Sequence, residues 1–284
     1  MGTAEPKQSI YSWTWLCPLA SLLMAAGIGY LFGLSWWTTL LIGVMLACPV
    51  MAMWSYLFGE RPLPVPLGPV PATRGTNFNW IAPWYDGWCS VFGLGKGFRS
   101  WTLSLAEFMP GDYVLDVGCG NGVLTHRIAD IVGPEGEAWG IDPAPDMIRI
   151  AMQRRGRTAN AAHFKLAAIE ALPFEDGTFD VALISLVLHH LPTDVKLAGL
   201  REVHRVLKAG GRLLVVEPDR PDHWLLRAVM WPARFYKRLK AHLDGRTALI
   251  LQNSGFGPVT VIGRWKHSVT FWRTQKTLTA QQTA

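Results

Sequence analysis

The chain opens on a long apolar run and then changes to a repeating strand–helix rhythm. From Gln8 to Gly59 there is no Asp, Glu, Lys, Arg or His. A spanning helix needs roughly 20 apolar residues. The run holds two such lengths, at about 13–32 and 36–58, with Gly33, Leu34 and Ser35 between them. The pattern predicts two transmembrane α-helices forming an anchor over residues 1–60. A cleaved signal peptide fits poorly, because a basic start is lacking and the second apolar stretch follows at once. A buried hairpin in a soluble core is the other reading. Prolines then alternate with apolar residues from Arg61 to Pro71. Such a run favours extended polyproline II, and 61–76 reads as a linker.

From 77 to 276 the pattern is that of an α/β domain. Strands are expected at Tyr113–Val117, Ala138–Ile141, Ala161–Leu166, Val181–Ser185 and Arg212–Glu217, and helices at Asn121–Ile131, Asp146–Arg155 and Asp194–Leu207. Val259–Trp265 and Ser268–Arg273 are spaced for a hairpin. Alternating apolar strands and helices predict a doubly wound, mostly parallel sheet. Ligands of such sheets lie beyond the carboxyl ends of the strands. Residues 222–243 are basic and aromatic and read as an amphipathic insertion broken or kinked at Pro232. Such a segment suits an anionic bilayer surface; a helix with an apolar core face and a solvated basic face is the alternative. Residues 277–284 form a polar tail.

Charge sharpens this picture. The formal net charge is +6, and basic residues are missing from the apolar run. The turn between the two spans carries none, whereas Lys7 precedes the first and Arg61 and Arg74 follow the second. Positive flanks stay on the cytoplasmic side, so both termini and the α/β domain are expected there, on an integral membrane protein. The many Trp, among them Trp13, Trp15, Trp36, Trp37 and Trp54, suit a membrane interface. The four Cys show no paired or His-associated spacing, so neither a disulfide framework nor a metal site is expected.

The sharpest motif is Val114-Leu-Asp-Val-Gly-Cys-Gly-Asn-Gly122, which ends a strand and opens a helix. Its glycines permit tight turning and close backbone approach to a ligand. It does not read GxGxxG, which disfavours a dinucleotide pyrophosphate site. Asp142, in Gly140-Ile-Asp-Pro143, stands at the end of the second strand, where a carboxylate can take ribose hydroxyls.

This run resembles the signature of class I S-adenosylmethionine-dependent methyltransferases. Three further pieces fit in order: Leu172-Pro-Phe-Glu-Asp-Gly-Thr-Phe-Asp180, Leu186-Val-Leu-His-His-Leu191 and Arg205-Val-Leu-Lys-Ala-Gly-Gly-Arg212. The resemblance implies a Rossmann-like, doubly wound seven-stranded sheet and S-adenosyl-L-methionine as cofactor. It places Gly118, Gly120 and Asp116 at the methionine end, Asp142 at the ribose, and Pro143 and Met147 at the adenine. Ala168 and Ile169 would meet the adenine edge, and Ser185 closes the fourth strand beside the ligand. Many relatives carry an Asp where this chain has Ala168, so the Ile169 amide or the Glu170 carboxylate must take its part. Ile81-Ala-Pro-Trp-Tyr-Asp86 resembles a segment of quinone-biosynthesis methyltransferases that folds over the cofactor, which makes Tyr85 a candidate lid. Ala167-Ala168-x-Glu170 and the apolar N-terminus resemble membrane-anchored thiol methyltransferases.

A base is needed only if the acceptor must lose a proton. His189 and His190 are the candidates, with Ser185 and Glu217 as strand-end alternatives. The expected acceptor is a small lipophilic or membrane-associated molecule: a quinol-like ring, a lipid amine or a thiol. The other function classes are nucleic-acid or protein methylation through the basic insertion, and a non-catalytic cofactor-binding scaffold. No Asn/Asp-Pro-Pro-Tyr/Phe motif follows the fourth strand and no RNA-binding domain is visible, so no nucleic-acid partner is expected. The sequence assigns no oligomeric state.

Overall fold

The computed structural model describes residues 65–154 and 162–277. The expected transmembrane hairpin, the first residues of the linker and the polar tail beyond 277 lie outside them. Among the described residues no helix is long and apolar enough to cross a membrane.

The chain forms two compact units. One holds Pro62–Ala82 and the chain from Lys96 onward, including the entire sheet; Pro83–Gly95 falls in the other. Within that second unit α1 spans Tyr85–Val91.

The sheet unit begins with α2 (Lys96–Ala106) and β1 (Tyr113–Val117). These are followed by α3 (Val123–Val132), β2 (Glu137–Asp142), α4 (Pro145–Gln153), β3 (His163–Leu166), β4 (Phe179–Ser185) and α5 (Thr193–Val206). After β5 (Leu207–Pro218) come α6 (Trp224–Val229), α7 (Lys237–Leu243), α8 (Thr247–Gln252), β6 (Thr260–Trp265) and β7 (Val269–Gln275). Seven strands are ordered β3-β2-β1-β4-β5-β7-β6. The first five are parallel, and β7 runs antiparallel to both β5 and β6.

The central strands are apolar on both faces because helices cover both. Val114, Leu115 and Val117 of β1 and Leu183 and Ile184 of β4 are essentially inaccessible. Ile128 and Val132 of α3 and Leu200 and Val203 of α5 are equally buried. Each such side chain contributes about 1.5–3 kcal/mol on burial. After β3 the chain returns to the other side of β1, so the strand order reverses between β1 and β4. Their carboxyl ends form the crevice where doubly wound folds bind ligands.

Two expectations change. Strand β5 starts at Leu207, not Arg212. Phe179 pairs with Leu207, the register then shifts, and regular pairing resumes at Val181 with Arg212. Gly210 at φ 74° makes the irregularity possible, and its amide donates to the Lys276 carbonyl at 3.1 Å. The amphipathic insertion is not one helix. It is α6, a 3-10 turn over Trp231–Phe235, and α7, none longer than seven residues. Pro232, which lacks an N–H, sits in the first turn of the 3-10 piece, and Tyr236 is extended. Trp224, Trp231 and Phe235 are 72%, 57% and 73% exposed.

Candidate active site

The Gly-rich loop leaves β1 and enters α3 with Gly118, Gly120 and Gly122 all at positive φ, 71°, 53° and 76°. Gly118 shows what the loop is for. A Cβ there would lie 2.5 Å from Val187 Cγ2, so the loop passes directly under the chain that leaves β4. The Cys119 amide donates to the Ile141 carbonyl at 2.8 Å, tying the loop to β2.

Two carboxylates stand at adjacent strand ends. Asp142 Oδ2 accepts from the Gly120 amide at 3.0 Å, and Oδ1 from the Ala144 amide at 2.9 Å. Asp116 is 2% exposed and accepts from Thr125 Oγ1 at 2.7 Å. Burial pushes Asp116 up to about 7, against the help of Thr125 and with repulsion from Asp142 adding to the rise. Burial likewise pushes Asp142 up to about 6, against the two amides that hold its charged form. Neither is paired with a basic side chain among the described residues. A cationic ligand would supply the missing counter-charge.

A segment ahead of the sheet closes one side. Asn79 Oδ1 accepts from the Asp146 amide and its Nδ2 donates to Asp146 Oδ2, both at 2.7 Å. Asn79 thereby caps α4, whose own N-cap Ala144 has no side chain to do it. Asn77 Nδ2 reaches the Pro143 carbonyl at 3.5 Å. Met147 is buried in α4. Ala168 and Ile169 follow β3 and are both buried. Next to them, Glu170 Oε2 is buried with no hydrogen-bond partner. Glu170 lines a cleft of about 360 Å³ with Thr73, Arg74, Asp194 and Val195 among its walls.

The chain leaving β4 is held by one carboxylate. Glu217, on β5, is fully buried. Its Oε1 accepts from the Val187 and Leu188 amides at 2.7 and 2.6 Å, and its Oε2 from the His189 amide at 3.3 Å. His189 Nδ1 lies 2.6 Å from the same Oε2. Burial opposes the charge of Glu217, but His189 and the amides outweigh it and hold the carboxyl down at about 2. Leu186, just before, is at φ 61°, a strained conformation for a residue with a side chain. His190 differs from its neighbour. Its ring meets the edge of Phe78 at 4.6 Å, and its carbonyl accepts from Arg238 Nη1 at 2.8 Å. Burial, with the charge of His189 next, lowers it to about 3.

Behind this loop Lys196 is 2% exposed and donates to the Arg238 carbonyl at 3.0 Å and to His242 Nε2 at 2.9 Å. Burial lowers His242 to about 4, so the ring is neutral and its Nδ1–H donates to Thr247 Oγ1 at 2.8 Å. These contacts pin α7 and α8 to α5.

The structure thus brings Asp116, Gly118, Gly120, Asp142, Pro143, Met147, Ala168, Ile169, Ser185, His189 and His190 to the carboxyl edge of one sheet. Tyr85 begins α1, in the other compact unit. No group of three or more metal-ligating side chains occurs among the described residues. The site fits an adenosyl sulfonium ligand. It has a loop of three glycines at positive φ, two carboxylates short of counter-charge, and an unpartnered acceptor on Glu170. Asn79, Thr125 and Lys196 were not expected; only tertiary contacts bring them to the site or to the loop behind it.

Comparison with known proteins agrees with this geometry. Residues 114–211 match a family model described as a Methyltransferase domain. The ubiquinone/menaquinone biosynthesis C-methyltransferase UbiE of Shewanella sp. (strain ANA-3) is 37% identical over 157 residues, covering 54% of this chain and 61% of that protein. The chain thus spans about three fifths of the length of the UbiE relatives it matches, 61%. A SAM-dependent methyltransferase structure from Thermotoga maritima superposes with a TM-score of 0.51 at 21% identity, over 70% of this chain and 98% of that one, a likeness of fold. The demethylmenaquinone methyltransferase of Lactiplantibacillus plantarum is 34% identical over 175 residues, 58% of this chain and 73% of that protein. With a relative matched over that share of its length, and with the sheet order and the glycine cradle in agreement, this chain belongs to the class I S-adenosylmethionine-dependent methyltransferase family.

Proposed function

We propose that this protein transfers a methyl group from S-adenosylmethionine to a small lipophilic acceptor held at a membrane. The observation that carries the reading is the exposed basic and aromatic segment from Trp224 to Lys240, which follows directly on β5, the strand that ends at the candidate site. Arg227, Arg234, Lys237 and Lys240 lie among its exposed aromatics. A bilayer accepts that combination through its acyl boundary and its anionic headgroups. The apolar run of residues 8–59 supports the same reading as a two-span anchor with the α/β unit on the cytoplasmic side. The quinone-pathway relatives favour a quinol-like ring among the acceptors, with a lipid amine or a thiol as the remaining chemistries.

In this reading Gly118 and Gly120 give backbone room to the methionine part, and Asp116 faces its ammonium. Asp142 takes the ribose hydroxyls while its amide bonds keep it oriented. Pro143 and Met147 flank the adenine, whose edge meets the Ile169 amide or the Glu170 carboxylate where Ala168 offers no carboxylate. The cofactor supplies a methyl already activated on sulfur. The chain's work is therefore alignment of the acceptor, exclusion of water and removal of a proton.

The test is an acceptor screen of the full chain in lipid, with methyl-labelled S-adenosylmethionine offered to quinols, lipid amines and small thiols. Label in one of these classes is expected. Label in none of them, with the fold intact, would overturn the proposal.

A further inference from the structure

The carboxylate that holds the chain after β4 also holds a histidine in one tautomer. Glu217 is ionised, so the hydrogen on the shared 2.6 Å contact belongs to His189 Nδ1. The lone pair of a neutral His189 ring then sits on Nε2, which has no partner among the described residues. The side chain is 13% exposed, so it reaches open space, whereas Glu217 is wholly buried. The backbone is fixed as firmly as the ring, because the same carboxylate takes the amides of residues 187, 188 and 189. Val187 of that segment lies against Gly118, so the stretch of chain that carries His189 runs past the loop proposed to hold the donor. Among the described residues no carboxylate hydrogen-bonds the His190 ring, although the charge of Glu217 acts on it.

We infer that Glu217 and His189 act as a dyad, His189 Nε2 taking the acceptor's proton and Glu217 orienting the ring and stabilising its charged form. This rests on the proposed function in one respect, an acceptor that carries a proton on its nucleophilic atom, such as a phenol, a thiol or an ammonium-derived amine. The new bond forms from that atom to the methyl carbon while the carbon–sulfur bond breaks, its electron pair staying on sulfur. The proton moves from the acceptor to Nε2 and later leaves to water. The ring's charge is met by Glu217 on β5. The other charged or titratable groups around the pair are His190 beside it, Asp219 after β5, Lys196 on α5, and Arg238 and His242 on α7.

The experiment is nitrogen NMR of the full chain labelled in histidine, titrated with and without Glu217→Gln, alongside pH–rate profiles on the acceptor found by the screen. His189 is expected with its proton on Nδ1 in wild type, and that preference should weaken when the carboxylate is replaced. His189→Asn, which removes the base without uncapping the loop, should lower kcat about 10²–10⁴-fold while calorimetry shows S-adenosylhomocysteine binding unchanged. A proton on Nε2, a tautomer preference that ignores Glu217→Gln, or a His189→Asn enzyme within twofold of wild type would each overturn the dyad. Because the tautomer needs no acceptor, failure of the acceptor screen alone leaves that test decisive. Should Glu217→Gln not fold, the tautomer in wild type and the His189→Asn rate still decide.

Discussion

Asp116 concentrates the electrostatics of the site. A carboxyl whose folded pKa lies above its unfolded value favours the fold while protonated. That contribution is present below about pH 4 and is lost as pH rises through the folded value. For Asp116 the window runs from 3.8 to about 7, and for Asp142 from 3.8 to about 6. Buried His190 and His242 work in the opposite sense, so the whole-protein profile mixes these effects. The difference between Asp116→Asn and wild type isolates one of them. Asp116→Asn should gain stability relative to wild type as pH rises from 4 to 7, by an amount on the order of a few kcal/mol, read by urea unfolding of the ligand-free protein. A difference that stays flat with pH would show that Asp116 is not strained. Gly118→Ala has two costs, a positive φ and the contact with Val187. It should lower stability by about 1–3 kcal/mol and abolish S-adenosylhomocysteine binding by calorimetry.

The helical elements after β5 are short and depend on tertiary ties. Lys196 holds α7 to α5 through a carbonyl and an imidazole. Lys196→Met keeps the apolar stem but leaves both acceptors unpaired inside the protein. It should cost about 2–3 kcal/mol and raise hydrogen exchange across 237–252. Trp231→Ala together with Phe235→Ala replaces two exposed side chains, so the unfolding midpoint should stay near that of wild type. Turnover of a membrane-held acceptor should drop several-fold in liposomes, with turnover of a detergent-soluble analogue unchanged. Equal loss on both acceptors would place those aromatics in the acceptor pocket instead of at a lipid surface.

At the scale of the whole molecule, the strands and the glycine loop were legible in the sequence because each is a local pattern. β1 and β4 are short apolar runs bounded by turn residues, and the motif from Val114 to Gly122 declares both its strand end and its helix start. The doubly wound, mostly parallel character of the sheet followed from strand–helix alternation, and its seven strands from the resemblance. What was not legible depends on contacts across long stretches of chain. Nothing local shows that Glu217 would cap residues 187–189, that Asn79 would cap α4, or that Lys196 would be buried against His242. Pro232 announced a break in the insertion, but the second interruption at Tyr236 had no sequence signal.

The account turns on a cofactor seated at the ends of β1 and β2, with Asp142 on its ribose. Isothermal titration of the full chain with S-adenosylhomocysteine, wild type against Asp142→Ala, tests it most directly. Binding by wild type and a loss of about 10- to 100-fold in the variant are predicted, corresponding to charged hydrogen bonds of about 1.5–3 kcal/mol. Equal affinity in the two proteins, or no binding by a folded wild type, would contradict it.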